Sequence, residues 1–187
     1  RRKLDAAGWT ECQISASNSL DEYIIQDLLL QGAKIDVFGV GERMITARSE
    51  PVFGGVYKLA AVEDGDGKII PKVSENLDKI TIPHFKKTYR IFDNATGKAE
   101  ADYITVWDET VDESAPLELF DPRATWKRKT YTNFTAKPLQ VPVFQGGELV
   151  YQLPALPEIQ AYCRAQVDTL WDTVKRFENP HTYYVDL

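Results

Sequence analysis

The chain has 187 residues, 43% hydrophobic and 27% charged, enough for one good core or one and a half small domains of an ordinary globular protein. Its formal net charge of -6 argues against a dominant nucleic-acid role. No apolar run approaches the roughly 18 residues of a membrane span, so no membrane partner is expected either. Cys12 and Cys163 lie far apart without CxxC or Cys/His spacing, and read as two reduced, semi-buried thiols of a cytoplasmic protein.

In chain order, RRKLDAAG reads as the end of a helix stopped by Gly8. With Arg1 first and no leader pattern behind it, a fragment with chain missing upstream is the expectation. Residues 12-17 alternate in polarity and predict a strand. Ser19 with Glu22 three positions on reads as a capping box, and Leu20, Ile24, Ile25, Leu28 and Leu29 form one helical face ended by Gly32. Residues 34-38 predict a second strand, so a strand-helix-strand unit with parallel neighbours follows. Gly39-Val40-Gly41 ends that strand, and a helical turn is predicted from Glu42 to Ala47.

Hairpins are predicted after that. Strands 56-62 and 68-72 flank the turn Asp64-Gly65-Asp66-Gly67, and strands 80-82, 88-93 and 102-107 follow, the last two around an Asn94 to Gly97 turn. The acidic stretch 108-122, with Pro116 and Pro122, reads as a loop. Residues 131-134, 139-144 and 148-153 predict further antiparallel strands. A last helix, 157-178, opens at Pro157 and carries Ile159, Tyr162, Cys163, Val167, Leu170, Trp171 and Val174 on one face, before Asn179-Pro180. The fold class is therefore α/β: a parallel βα portion over 1-55, then a β-rich α/β portion over 56-187 with a terminal helix.

Two successive strand ends carry phosphate-friendly sequences. Ser17-Asn18-Ser19 ends the first strand where a helix begins, and a helix start offers unpaired N–H groups and partial positive charge. In Gly39-Val40-Gly41, glycine lets backbone amides approach an anion closely. Simple capping and a tight turn are the plainer readings of the same residues. A dinucleotide fingerprint is disfavoured, because Met44 stands where its third glycine belongs. Between Lys58 and Arg90, seven basic residues face five acidic ones, a local excess that suits an anion site or merely a solvated hairpin. Lys72, Ser74, Lys79 and Thr81 could reach phosphate oxygens, though on spacing alone a solvated loop is the stronger reading. His84 and His181 have no visible partner for acid-base, nucleophilic or metal chemistry, and Asp64 and Asp66 read as turn residues rather than ligands.

The string SASNSLDEYIIQDLLLQGAKIDVFGVGERMIT resembles the last barrel strands of nicotinate phosphoribosyltransferases. GGVYKLAAVE, KVSENLDKITIP, KKTYRIFD, VPVFQGGELVY and KRFENPHTYYVDL are similar to later parts of that family, in order and over essentially the whole chain. The resemblance implies part of a type II phosphoribosyltransferase (β/α) barrel, followed by the β-rich portion, working as a homodimer. It implies a C-terminal section of an enzyme that joins nicotinate and phosphoribosyl pyrophosphate into nicotinate mononucleotide and pyrophosphate. ATP is the co-substrate, hydrolysed through a phosphohistidine expected upstream of Arg1, and Mg2+ accompanies the pyrophosphate; the section alone is expected to be inactive. Carried onto matching positions, Ser17, Asn18, Gly39 and Gly41 bind the 5'-phosphate. Lys58, Lys72, Ser74, Lys79 and Thr81 match family motifs near the phosphates or the subunit contact. Two positions depart from the family: Glu42 follows the GVG where threonine is common, and His84 stands where glycine is frequent. Glu42 is expected to point away from the anion or to hold a cation or basic side chain. The alternative reading is a non-catalytic phosphate-binding or subunit-interface module.

Overall fold

The computed structural model describes residues 1–76 and 79–187. Leu77 and Asp78, within the KVSENLDKITIP string, lie outside the described residues. The chain divides into two compact units, Arg1–Tyr57 and Lys58–Leu187.

In the first unit, helix α1 (Arg2–Ala6) precedes Gly8. Strands β1 (Ser15–Ser17) and β2 (Val37–Gly39) pair in parallel, Ser15 opposite Val37 and Ser17 opposite Gly39. Helix α2 (Glu22–Leu30) connects them, so the predicted strand-helix-strand unit is present. Both strands are shorter than their alternating patterns suggest. Before the first rung, the Ile14 N–H goes to the Asp36 carboxylate at 2.8 Å rather than to a strand carbonyl.

The start of α2 also departs from the sequence reading. Asp21, not Ser19, is the N-cap: its carboxylate accepts the Ile24 N–H at 2.8 Å. Asn18 and Ser19 have φ of 96° and 50°, so the chain turns through two left-handed residues before it can be capped. Gly32, at φ 79°, is the left-handed stop its sequence predicts. A single turn, α3 (Glu42–Ile45), follows β2. The described residues close no barrel; their sheets hold two or four strands.

The second unit begins with the hairpin of β3 (Ala61–Glu63) and β4 (Ile69–Pro71). The Asp64 carboxylate accepts the N–H groups of Asp66 at 3.0 Å and Lys68 at 2.8 Å, so this aspartate builds the turn, as expected. Residues 56-60 and 80-82 are not strands. Strands β5 (Lys86–Asp93) and β6 (Ala99–Val106) form the predicted hairpin. The stretch read as a loop contains a strand: β7 (Leu117–Asp121) pairs with β8 (Ala124–Tyr131). Its two prolines flank β7, where no ladder N–H is required, and Leu119 between them is wholly buried.

Strand β9 (Phe134–Pro138) pairs with β5, while the predicted strand 131-134 straddles the turn between β8 and β9. The predicted strands 139-144 and 148-153 reduce to the minimal hairpin β10 (Phe144–Gln145) and β11 (Glu148–Leu149). The terminal β12 (Tyr184–Asp186), which sequence reading missed, runs parallel to β6 and completes the order β12-β6-β5-β9. Leu187 exchanges both backbone hydrogen bonds with Phe120, at 2.9 and 3.0 Å.

The core is Ile91, Ala101, Leu119, Tyr131 and Phe134, drawn from β5 to β9. A polar clamp binds the final segment to the sheet. Arg90 donates twice to Asp102, at 2.9 and 3.0 Å, and the Tyr183 hydroxyl donates to Asp102 at 2.9 Å. The Asp102 bond raises the Arg90 pKa, and burial raises that of Tyr183.

Helix α4 (Leu156–Thr169) ends nine residues before the predicted 178, because Leu170 is extended at ψ 148°. None of its residues is buried, so the predicted apolar face is not covered within the chain. Just beyond the helix, Trp171 Nε1 donates to Glu100 at 3.0 Å, and Lys98 Nζ donates to the Asp168 and Leu170 carbonyls. Cys12 and Cys163 are free but exposed rather than semi-buried.

Candidate functional site

The first unit holds an open cavity of about 370 Å³ at the ends of β1 and β2. Ser17, Asn18, Ser19, Gly39, Gly41, Glu42, Arg43 and Arg48 line it. Parallel pairing explains why: Ser17 is opposite Gly39 on the last rung, so both chains leave the sheet side by side. Gly39 suits that approach, since a Cβ there would stand 3.1 Å from Ser17 Cβ, a contact that the neighbour would have to ease. At Gly41 a Cβ would meet nothing within 4 Å, so this glycine leaves room beside the loop. Among the described residues, no acceptor outside the strand ladder takes the backbone N–H of Ser19 or Gly41.

The charges come from two arginines that the sequence reading did not select. Arg43 forms an ion pair with Asp21, which also caps α2. Arg48 lines the same cavity, and none of the ion pairs among the described residues takes it up. The available signal was two arginines, two and seven residues past Gly41. Two guanidiniums, with five N–H donors each, and nearby backbone amides form a donor array suited to an oxyanion. Glu42 is also among the residues that line the cavity, and no ion pair among the described residues engages it.

The other predicted residues belong to the second unit. Lys58 is exposed in irregular chain just before β3. The Ala60 carbonyl accepts from the Lys72 backbone N–H at 3.0 Å and from the Thr81 hydroxyl at 3.4 Å, which brings these two residues to one side of the hairpin. Ser74 Oγ accepts from the Asn76 N–H at 3.3 Å, and the Lys79 N–H goes to the Asn76 carbonyl at 2.9 Å. These bonds shape a loop, with Thr81 turned to the backbone. A larger cavity of this unit, about 410 Å³, is lined by Trp126, Lys127, Tyr184 and Asp186 among others. Its Arg128 and Lys129 form ion pairs with Glu118 and Glu100, and the carboxylates of Asp121 and Asp186 also belong to its lining residues.

The family described as nicotinate phosphoribosyltransferase C-terminal domain matches residues 85–187. The chain belongs to the nicotinate phosphoribosyltransferase family. Nicotinate phosphoribosyltransferase of Bacillus subtilis (strain 168) is 44% identical over 189 aligned positions, covering 100% of this chain and 38% of the relative. The human protein of that name is 29% identical, covering 93% of this chain and 32% of its own length. A crystal structure of human nicotinic acid phosphoribosyltransferase superposes with a TM-score of 0.66 at 23% identity, over 100% of this chain and 34% of that one. The chain thus spans about a third of the length of these relatives, matches their C-terminal portion, and shares their fold there.

One departure from the nicotinate phosphoribosyltransferase pattern has a conformational reading. His84 has φ 72°, a left-handed backbone that glycine adopts most readily. The turn is held by Lys86, whose ammonium donates to the carbonyls of Ile82, Pro83 and His84 at 2.5, 3.1 and 2.8 Å. Among the described residues no group of three or more His, Cys, Asp or Glu side chains could hold a metal ion. No described helix is long and apolar enough to cross a membrane.

Proposed function

We propose that this chain is the C-terminal part of an enzyme that forms nicotinate mononucleotide and pyrophosphate from nicotinate and phosphoribosyl pyrophosphate, coupled to ATP hydrolysis, in NAD biosynthesis. Within it, the cavity at the ends of β1 and β2 holds the 5'-phosphate shared by substrate and product. The carrying observation is the convergence of Ser17, Asn18, Gly39 and Gly41 on one cavity together with Arg43 and Arg48. Family membership supports the reaction.

The chemistry explains the use of such an anchor. Breaking the bond between ribose and pyrophosphate builds positive charge at the sugar carbon. Fixing the phosphate at the far end of the ribose fixes that carbon relative to the nicotinate nitrogen, which converts binding into orientation. Rigid amides at strand ends and two guanidiniums do this without reorganising when the reaction occurs. Lys58, Lys72, Ser74, Lys79 and Thr81 take a second part, near the phosphates or a subunit contact. The phosphohistidine, the nicotinate pocket and most pyrophosphate contacts lie outside these 187 residues. Magnesium accompanies the pyrophosphate, and the working protein is a cytoplasmic homodimer.

The test is Gly41→Val in the full-length protein. Because a side chain at Gly41 meets open space, the fold is kept and the branched group occupies the anion's room. The expected result is a sharply raised KM for phosphoribosyl pyrophosphate with an unchanged thermal midpoint. An unchanged KM removes this loop from the site.

A further inference from the structure

We propose that Asp21 is a positioning residue for phosphate binding: its carboxylate holds the Arg43 guanidinium at the cavity and thereby couples the loop after β1 to the loop after β2. This rests on the reading of the cavity as the 5'-phosphate site.

Asp21 and Leu20 are the only buried residues of the first unit, and Asp21 is 8% exposed. Burying a carboxylate is unfavourable unless it is paired and hydrogen-bonded. Its two oxygens have separate duties. One accepts the Ile24 N–H at 2.8 Å as helix cap; the other meets Arg43 Nη1, 22 residues away in sequence. Capping needs only an acceptor, and asparagine or serine serves it equally well. The partial positive charge of the helix start favours a carboxylate modestly, and the ion pair with Arg43 is the closer and fuller charge that it meets.

The consequence for binding follows from the shape of the guanidinium. Asp21 occupies Nη1, and the remaining donors stay available to an oxyanion. A long side chain ordered before the ligand arrives loses less freedom on binding. Because α3 bears Arg43 and α2 begins at Asp21, the same bond also fixes the spacing of the two phosphate-facing loops. An opposing effect exists. Asp21 partly neutralises Arg43, and if neutralisation dominated, its removal would tighten anion binding. The sign of the change decides between them.

The experiment is steady-state kinetics of the full-length protein carrying Asp21→Asn, Arg43→Ala and both together. Asp21→Asn is expected to raise KM for phosphoribosyl pyrophosphate roughly ten-fold, with little change in kcat or thermal midpoint, and to add nothing in the Arg43→Ala background. Asp21→Ser, which also caps, is expected to repeat the result, so a folding defect of one variant does not decide the outcome. An unchanged or lowered KM in Asp21→Asn, or losses that simply add in the double variant, overturns the proposal. If Arg43→Ala raises KM and Asp21→Asn does not, the positioning role fails and the phosphate site stands. If neither variant changes KM, the positioning role falls with the phosphate site.

Discussion

Replacing Gly39 by alanine places a methyl group between the two strand ends on which the site depends. The added carbon would stand 3.1 Å from Ser17 Cβ. Non-bonded carbons settle at about 3.5–4.0 Å, so the two chains must part by roughly 0.4–0.9 Å. Ser17 and Gly39 form the last rung of the ladder, and Ser17 is exposed, so the displacement is taken up in the Ser17-Asn18 loop rather than in the sheet. Overpacking of this kind costs about 1–3 kcal/mol, and an exposed, yielding neighbour puts this case at the low end. That would lower the midpoint of a chain of 150–250 residues by about 2–4 °C, and that of the longer full-length protein by less. Binding is more sensitive, because misplacing a positioning group by about 1 Å costs on the order of 100-fold. About half that displacement predicts a KM for phosphoribosyl pyrophosphate raised roughly ten-fold. Steady-state kinetics and thermal melts of full-length Gly39→Ala and the parent measure both. A fallen midpoint with an unchanged KM would refute the claim that the Ser17–Gly39 approach shapes the anion site.

Two predictions concern the second unit. Asp102→Ala leaves Arg90 half-buried without its bidentate partner and takes the acceptor from the Tyr183 hydroxyl; a stability loss of about 3–5 kcal/mol is expected, read by denaturant unfolding, and a loss below about 1 kcal/mol would show the clamp to be idle. Asp186 has its pKa raised, by burial and then by Asp121. A carboxyl group whose folded pKa lies above its unfolded one favours the fold most below the unfolded value, and that contribution is lost as pH rises through the folded value. Asp186→Asn should therefore stabilise the protein near pH 7 and give no gain near pH 3, measured as the difference in thermal midpoint between variant and parent. A variant less stable at pH 7 contradicts the sign.

The parallel βα unit was legible because its signals are local: an alternating strand, a 3.6-residue apolar period, Gly32, and a glycine-rich strand end. The convergence of Ser17, Asn18, Gly39 and Gly41 followed, since parallel neighbouring strands must bring those ends together. Asp21 was passed over because Ser19 and Glu22 match a capping box, and nothing in the string reveals two left-handed residues between strand and helix. Arg43 and Arg48 were not selected because their bearing depends on the direction of a single helical turn. Strand β7 was hidden by its flanking prolines and acidic neighbours, and β12 by pairing with β6, some eighty residues away. The terminal helix was overextended because Leu170, Trp171 and Val174 continue its apolar period into non-helical chain.

The most direct measurement is a crystal structure of the full-length protein bound to nicotinate mononucleotide. The account predicts the monoester phosphate at the ends of β1 and β2, accepting hydrogen bonds from the Gly41 N–H and from the Arg43 and Arg48 guanidiniums. A phosphate seated elsewhere, with this cavity holding only water, would contradict it.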